Sequence, residues 1–350
     1  MAAVATINDV AKLAGVSIKT VSRVVNREAN VREKTRDLVL KAIQQLNYKP
    51  SLAARGLAGG RSFLIGMMYD NASDSFLVDL QRGILRACRE GHYGLALCPA
   101  SRSGDRTADL MEWVTSTQPD GIILTPPLSD DQHLVNRLVE ANVTFISVSS
   151  TGTGCGPSVL IDEEDAARAM AQHLIDAGYH DIGFIKGPED HVCSDLRYRG
   201  FEAAMKAAGL PVNSDWLKAG QFDFESGVAA AEELLSGPET PKAIFASNDD
   251  MAAGVINVAY RKGLKVPEDL AVAGFDDTPL ARHFWPGLST VKQPIIQIGQ
   301  QATEYLMDVV RGQSPLAANE SSSTRGHSVV LPYELVLRGS TGAKPEQRQQ

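Results

Sequence analysis

The first 48 residues carry apolar side chains at helical spacing. They fall in three short stretches, which contain Ile7, Val10, Ala11 and Ala14, then Val16, Val21, Val24 and Val25, then Leu38, Val39, Ala42, Ile43 and Leu46. This pattern predicts three short amphipathic helices. Thr6 and Ser17 are typical helix caps, and Gly15 and Asn26 are stop signals. The third helix should end before Pro50, because the residue before a proline is driven out of the helical region.

From residue 61 onward, short apolar segments alternate with amphipathic patterns of about 10–15 residues. The apolar segments are SFLIGMMY, GLALC, DGIILT, VTFISVS, SVLI, DIGFIKG, KAIFAS and LAVAGF. The alternation predicts a doubly wound α/β architecture with parallel sheets. Eight strands are more than one small sheet normally holds. We therefore expect two similar lobes that meet near residue 160. The segment STVKQP (289–294) is predicted to be a second crossing between them.

Charge is distributed unevenly along the 350 residues. The net charge of −8 by itself argues against a nucleic-acid partner. Residues 1–62, however, hold eleven basic and four acidic residues, a charge of +7, which leaves −15 for the remainder. A small cationic segment joined to a large anionic one indicates nucleic-acid binding at one end.

Targeting and cysteine signals are weak. No stretch approaches the ~18 apolar residues of a membrane span, and the N-terminus lacks a signal-peptide pattern, so we expect a cytoplasmic protein without membrane contact. Cys88, Cys98, Cys155 and Cys193 show neither disulfide nor zinc spacing. We expect four buried thiols.

The segment AKLAGVSIKTVSRVVN has the layout of a helix-turn-helix, whose second helix enters the major groove of DNA. Its first residues would then meet base edges. We predict base contacts from Ile18, Lys19 and Arg23, and phosphate contacts from Ser17, Thr20, Ser22 and Asn26, with Thr6 also in the DNA-binding set. The alternative interpretation is a solvated basic helix.

Polar and aromatic residues follow the predicted strands of the α/β region. Open parallel sheets bind ligands beyond the carboxyl ends of their strands. The residues at these ends include Tyr69, Asp70, Thr125, Asn248 and Asp276. Two such lobes facing each other would enclose a cleft suited to a polyhydroxylated ligand.

The sequence resembles the lactose/galactose repressor family over about residues 5–340. The motifs that carry the resemblance are TINDVAKLAGVS, TVSRVVN, REKTRDLVLKAIQQLNYKP, SLAARGLAGG, IGMMYDN, LRYRGFEAA, ASNDDMAAG, AGFDDTPL, STVKQP and LPYELVLRGST. The resemblance implies a homodimeric repressor on a near-palindromic operator, with one half-site for each subunit. It also implies a hinge helix containing Ala54 and Leu57, in which the leucine wedges into the minor groove.

The resemblance further implies that a small effector, a sugar in the favoured interpretation, binds between the lobes. Family motifs fall on Arg197, Phe222, Asn248 and Asp276, and we add Tyr69, Asp70, Thr125 and Asp162 to the predicted effector site. Each has a structural alternative. Asn248 and Asp276 could cap helices, Arg197 could pair with Asp195 or Glu202, and Phe222 could lie in the core. Trp285 is expected in the core.

The predicted fold class is an all-α helix-turn-helix head and hinge joined to a two-lobed α/β body of the periplasmic-binding-protein type. Its predicted divisions are a DNA-binding domain at 1–49, a hinge at 50–61, a first lobe at 62–161 with 292–324, a second lobe at 162–291 with 325–340, and a disordered tail at 341–350.

Other functions receive less support from the residues. Histidine spacing predicts no metal site, and we find no nucleophile elbow or P-loop, so we expect neither an enzyme nor a cofactor. The glycines of TGTGCGPS have the wrong spacing for a dinucleotide fingerprint and lead into a strand. Two alternatives remain: a regulator with a purine or other corepressor, and a sugar-binding protein without a role on DNA.

Overall fold

The computed structural model describes residues 5–25, 31–48, 61–70, 73–100, 105–149, 156–313 and 328–342. The chain forms two compact units. The first, called the head here, comprises residues 1–64 with 118–120, and the second, called the body, comprises the rest. The predictions for Asn26, Ala54, Leu57, Cys155, most of the hinge and nearly all of the tail lie outside the described residues.

The described part of the head contains three helices at the predicted positions: α1 (Ile7–Ala14), α2 (Ile18–Val25) and α3 (Glu33–Gln45). The Asp9 amide donates to the Thr6 hydroxyl at 3.4 Å, and the Thr6 amide donates to the Asp9 carboxylate at 2.8 Å. This reciprocal pair caps α1. Gly15 ends α1 with φ = 64°, in the left-handed region that glycine enters without a steric penalty.

The head has its own small core. Val10, Val21 and Val39, one from each helix, have no exposed surface. Since the three valines contact a common cluster, the helical spacing of the sequence is what buries them. The third helix ends at Gln45, several residues before Pro50.

The body alternates strands and helices along the chain. Its strands are β1 (Leu64–Tyr69), β2 (Gly94–Pro99), β3 (Gly121–Leu124), β4 (Phe145–Val148), β5 (Ser158–Leu160), β6 (Ile182–Lys186), β7 (Leu217–Ala219), β8 (Ala243–Ala246), β9 (Ala271–Asp276), β10 (Ser289–Lys292), β11 (Ser328–Val330) and β12 (Glu334–Val336). Its helices are α4 (Asp74–Gly91), α5 (Arg106–Thr117), α6 (Gln132–Glu140), α7 (Glu163–Asp176), α8 (Val192–Ala207), α9 (Phe224–Leu234), α10 (Asp249–Arg261), α11 (Pro279–His283) and α12 (Ile295–Val310).

The strands form two six-stranded sheets, one in each lobe. The order is β11-β5-β4-β3-β1-β2 in the first sheet and β12-β10-β9-β8-β6-β7 in the second. Parallel pairing joins β1 to β3, β3 to β4, and β8 to β9, whereas β12 pairs antiparallel with β10. Fully buried strands such as β3 and β8 are uniformly apolar, as expected for parallel sheets covered on both faces.

The described strands show three passages of the chain between the lobes, and two predicted boundaries need correction. The first passage, near residue 161, follows β5 as expected. STVKQP is not itself the second passage, because Ser289–Lys292 forms β10 of the second sheet and the passage follows at Gln293. The third comes after β11, which pairs with β5, so Ser328–Val330 belongs to the first lobe and not to the second lobe predicted from residue 325.

Close helix packing builds the second lobe. Helices α7 and α8 lie so near each other that a Cβ on Gly200 would come within 2.1 Å of the Glu164 carbonyl oxygen. A side chain of any size is excluded at this contact. Trp285 was predicted to lie in the core, but it is 88% exposed. No helix in the described ranges is long and apolar enough to cross a membrane.

Candidate nucleic-acid interface and effector cavity

Helix α2 presents one polar face away from the core of the head. Val21 and Val24 are buried, while Ile18 is half exposed and Lys19 is exposed at the start of the helix. Ser22 and Arg23 follow Ile18 and Lys19 by four residues, so the two pairs share a face. Four of the predicted base and phosphate contacts therefore lie together on the side opposite the buried valines.

The start of α2 is fixed by its own cap. The Thr20 amide donates to the Ser17 hydroxyl at 3.2 Å, and the two hydroxyls lie 2.9 Å apart. Ser17 is thus the cap that the sequence predicted. Thr6 caps α1 in the same way. Thr6 and Ser17, which were predicted to contact DNA, therefore also stabilise the helices of the head.

A small cavity, with about 30 Å³ of free space inside it, lies between the lobes. The first lobe contributes Ser73, Phe76, Pro126 and Ser149, the second contributes His191, Cys193, Arg197, Phe222, Asn248 and Asp276, and Gln293 comes from the passage between them. Four of the eight predicted effector residues, Arg197, Phe222, Asn248 and Asp276, are therefore brought to one wall of a single cavity.

Arg197 is held by hydrogen bonds and by two neighbouring aromatic rings. Its Nε donates to the Glu163 carboxylate at 2.8 Å, and its Nη1 donates to the Ser247 carbonyl oxygen. The guanidinium carbon lies 3.8 Å from the ring centroid of Phe275 and 5.7 Å from that of Phe222. The pairing with Asp195 or Glu202 that the sequence left open is not formed, because helix packing places Glu163 nearer.

Asp276 reaches the cavity from a strained turn at the end of β9. Its φ of 115° lies in the region that favours glycine, which is unusual for an aspartate and typical of binding sites. The Gln293 amide donates to its carboxylate at 2.6 Å, and Arg197 Nη1 lies 3.9 Å away. Burial raises the pKa of Asp276 to about 7, although Arg197 and Gln293 act in the opposite direction.

Asn248 and Phe222 support each other beside Arg197. The Asn248 side chain accepts from the Met251 amide and donates to the Phe222 carbonyl oxygen, both at 2.9 Å. Asn248 is therefore the cap of α10 as well as part of the cavity wall. The Phe222 ring packs edge-on to His191 with 5.4 Å between centroids and also joins the core of the second lobe.

The other four predicted effector residues do not line this cavity. Asp70 forms an ion pair with Arg106 at 3.3 Å, and Thr125 is fully buried and donates to the Met68 carbonyl oxygen at 3.3 Å. Asp162 is exposed and caps α7 by accepting from the Asp165 amide at 2.9 Å. Tyr69 is partly exposed at the end of β1. An ion pair, a hydrogen bond and a helix cap thus engage Asp70, Thr125 and Asp162 away from the cavity.

The sequence did not single out Glu163 or several cavity-lining residues. Ser73, Phe76, Pro126, His191, Cys193 and Gln293 line the cavity without having been predicted. Gln293 lies in the STVKQP motif, which was interpreted only as a crossing. The buried position of Glu163, with 2% exposure, depends on the packing of α8 on α7, which no local pattern shows.

Two hydrogen bonds join the lobes beside the cavity. The Ser73 hydroxyl at the start of α4 donates to the Asp250 carboxylate on α10 at 2.8 Å. The Val192 amide at the start of α8 donates to the Asp130 carboxylate at 3.2 Å. Each bond needs both lobes, so each contributes only when the lobes are close together.

A helix-turn-helix head and a two-lobed α/β body with a central cavity define a DNA-binding transcriptional regulator. Residues 6–51 match the model of bacterial regulatory proteins of the lacI family, and residues 171–341 match a periplasmic binding protein-like domain. The ribose operon repressor of Escherichia coli (strain K12) is 37% identical over 307 residues, covering 87% of this chain and 92% of that protein. The chain belongs to the lacI family.

Solved structures of relatives extend the likeness to the whole chain. The lac repressor dimer bound to operator and the anti-inducer ONPF has a TM-score of 0.79 at 29% identity, covering 97% of this chain and 99% of that chain. The complex of the transcriptional regulator CelR with cellobiose has a TM-score of 0.72 at 30% identity, with coverage of 96% and 99%. These relatives are regulators by name, not enzymes.

Proposed function

We propose that this regulator is a repressor that binds a near-palindromic operator as a homodimer and responds to a sugar. The cavity between the lobes is the observation that supports the sugar, since it combines a buried guanidinium, a carboxylate, an amide and an aromatic ring on one wall. Such a set matches the hydroxyls and apolar face of a sugar ring. The relatives named for ribose and bound to cellobiose support the same class of ligand.

The outward face of α2 supports DNA reading by the head. Lys19 and Arg23 would reach base edges in the major groove, with Ile18 in apolar contact and Ser22 at a phosphate. The proposal extends to Ala54 and Leu57 at the minor groove, to a DNA-binding domain at 1–49 and to a cytoplasmic location, where operator DNA is accessible. The excess positive charge of residues 1–62 supports the assignment.

Regulation then follows from linkage between the two sites. An effector that contacts both walls of the cavity favours the lobes in their close arrangement, in which the Ser73–Asp250 and Val192–Asp130 bonds form. The free energy of operator binding changes at most by the difference in the free energy with which the effector binds the two arrangements of the lobes. In regulators of this kind that difference is about 1–3 kcal/mol.

Selection of binding sites from random DNA with the purified full chain tests the DNA assignment. Wild type should enrich a near-palindrome, with affinity that falls steeply as salt increases. Arg23→Ala should lose specific binding, and Lys19→Ala should relax one base position at a cost of about 1–3 kcal/mol. Lys41→Ala, an equal loss of charge at an exposed position on α3, is the matched control. Enrichment of the same site by Arg23→Ala would contradict the placement of α2.

A further inference from the structure

The buried charges of the body lie almost entirely around the cavity. Among the described residues, the buried Arg, Lys, Glu or Asp side chains are those of Arg197, Glu163, Asp249 and Asp276. Two of the carboxyl groups, those of Glu163 and Asp276, lie beside the guanidinium, and Asp249 bonds Thr278 and Thr290 instead. Burial raises the pKa of Asp249 well above its usual range, helped by the nearby Asp276, while hydrogen bonds from Thr290 and Thr278 act against it.

The positive charge of Arg197 is balanced by a buried carboxylate, that of Glu163. Glu163, 2% exposed, accepts from Arg197 Nε at 2.8 Å, and this contact occupies one edge of the guanidinium fork. Even if Asp249 and Asp276 are both protonated, Glu163 still balances the arginine. The wall therefore carries no net positive charge in any protonation state that keeps this pair ionised.

Several buried polar atoms at or next to the cavity lack a hydrogen-bond partner among the described residues, and two of them, both Oε1 atoms, can only accept. Within the described residues, the Oε1 atoms of Glu163 and Gln293 and the hydroxyl of Ser149 are buried without a hydrogen-bond partner. Gln293 and Ser149 line the cavity, where Asp276 adds a carboxylate. Buried acceptors are satisfied by O–H or N–H groups, whereas a carboxylate or phosphate group would bring more acceptors and more negative charge.

We propose that the cavity selects an uncharged ligand rich in hydroxyl or N–H donors over its anionic derivatives, and that Glu163 sets this preference by neutralising Arg197. The inference rests on the proposed function only in taking this cavity as the effector site. An arginine without such a partner would attract a carboxylate in a bidentate pair. With Glu163 in place, an anion would face Asp276 without a compensating cation.

Matched pairs of ligands that differ in charge test the proposal with the full chain. We would titrate glucose against glucuronate and galactose against galacturonate, which differ only at C6, and hypoxanthine against urate, by calorimetry near neutral pH. For any pair that binds, the neutral member should bind at least about tenfold more tightly. Glu163→Gln should narrow this ratio, because the amide leaves the guanidinium charge unbalanced. Glu164→Gln, the same change at the exposed neighbouring position, is the control and should keep the wild-type ratio.

The outcomes separate this proposal from the sugar assignment. Binding of an anionic sugar as tightly as its neutral partner would overturn the charge preference and leave the sugar class standing. Binding of hypoxanthine, with no sugar bound and urate rejected, would overturn the sugar class and support the charge preference. An unchanged ratio in Glu163→Gln would remove Glu163 from its assigned role, and the wild-type ratios decide the preference even if that variant does not fold.

Discussion

Gly200→Ala is expected to destabilise the second lobe by forcing α7 and α8 apart. The added Cβ would lie 2.1 Å from the Glu164 carbonyl oxygen and 2.8 Å from the Arg168 amide nitrogen. Both are backbone atoms that cannot rotate away, so the helices must separate by about an ångström to reach ordinary contact. Overpacking of this kind costs about 1–3 kcal/mol, and alanine regains about 1 kcal/mol of helix propensity. Because the overlap is with backbone atoms, we expect the upper end of this cost and therefore a net loss of about 2 kcal/mol.

Urea unfolding followed by far-ultraviolet circular dichroism measures this loss as a shift of the midpoint at constant slope. Gly91→Ala is the matched control, because its Cβ would meet the flexible Met307 side chain, with the sulfur at 2.2 Å, and no backbone atom so close. The control should change the free energy of unfolding by less than about 0.5 kcal/mol. A Gly200→Ala protein as stable as wild type would show that the helices do not approach as closely as described.

Two further predictions concern the cavity. Burial raises the pKa of Asp276 to about 7, so the folded state retains a proton that the unfolded carboxyl loses near pH 4. The contribution of Asp276 to the free energy of unfolding should therefore be largest below about pH 4 and fall as pH rises to about 7. Urea unfolding of wild type and Asp276→Asn across this pH range measures the contribution. A difference in free energy of unfolding between the two proteins that does not change with pH would contradict the prediction. Ser73→Ala removes the bond to Asp250, worth about 1.5–3 kcal/mol in the close arrangement, so small-angle scattering should show a larger radius of gyration, whereas unchanged scattering would count against the bond.

Strands within a continuous apolar run, including the three-residue β5, were predictable from sequence, whereas β7, β11 and β12 were not. Ala243–Ala246 lies in an apolar run that indicates a buried strand directly. Strands β7, β11 and β12 have three residues each, too few for a period to emerge. Their strand conformation comes from pairing with neighbours that are distant in sequence, and the lobe boundary at residue 325 was wrong for the same reason.

The cavity was half predictable, and the failures share a cause. Strand topology indicates which residues lie at the ligand-binding edge, and this located Asn248 and Asp276. It does not distinguish a carboxylate that faces the cavity from one that caps a helix, as Asp162 does. Glu163 follows Asp162 in a run of acids, and only the packing of α8 turns it inward. Side-chain direction at such positions is decided by tertiary contacts that a single sequence does not reveal.

The three passages between the lobes have a consequence for synthesis on the ribosome. The first lobe begins with β1, but its sheet is completed by β11, and α12 packs against α4 through Gly83 and Gly299. All of these later elements emerge after most of the second lobe has been made. The lobe that begins first is therefore incomplete until close to the end of the chain, and until α12 is made α4 keeps an apolar face uncovered. Slow translation or early termination beyond Lys292 would expose this face to chaperones and to aggregation.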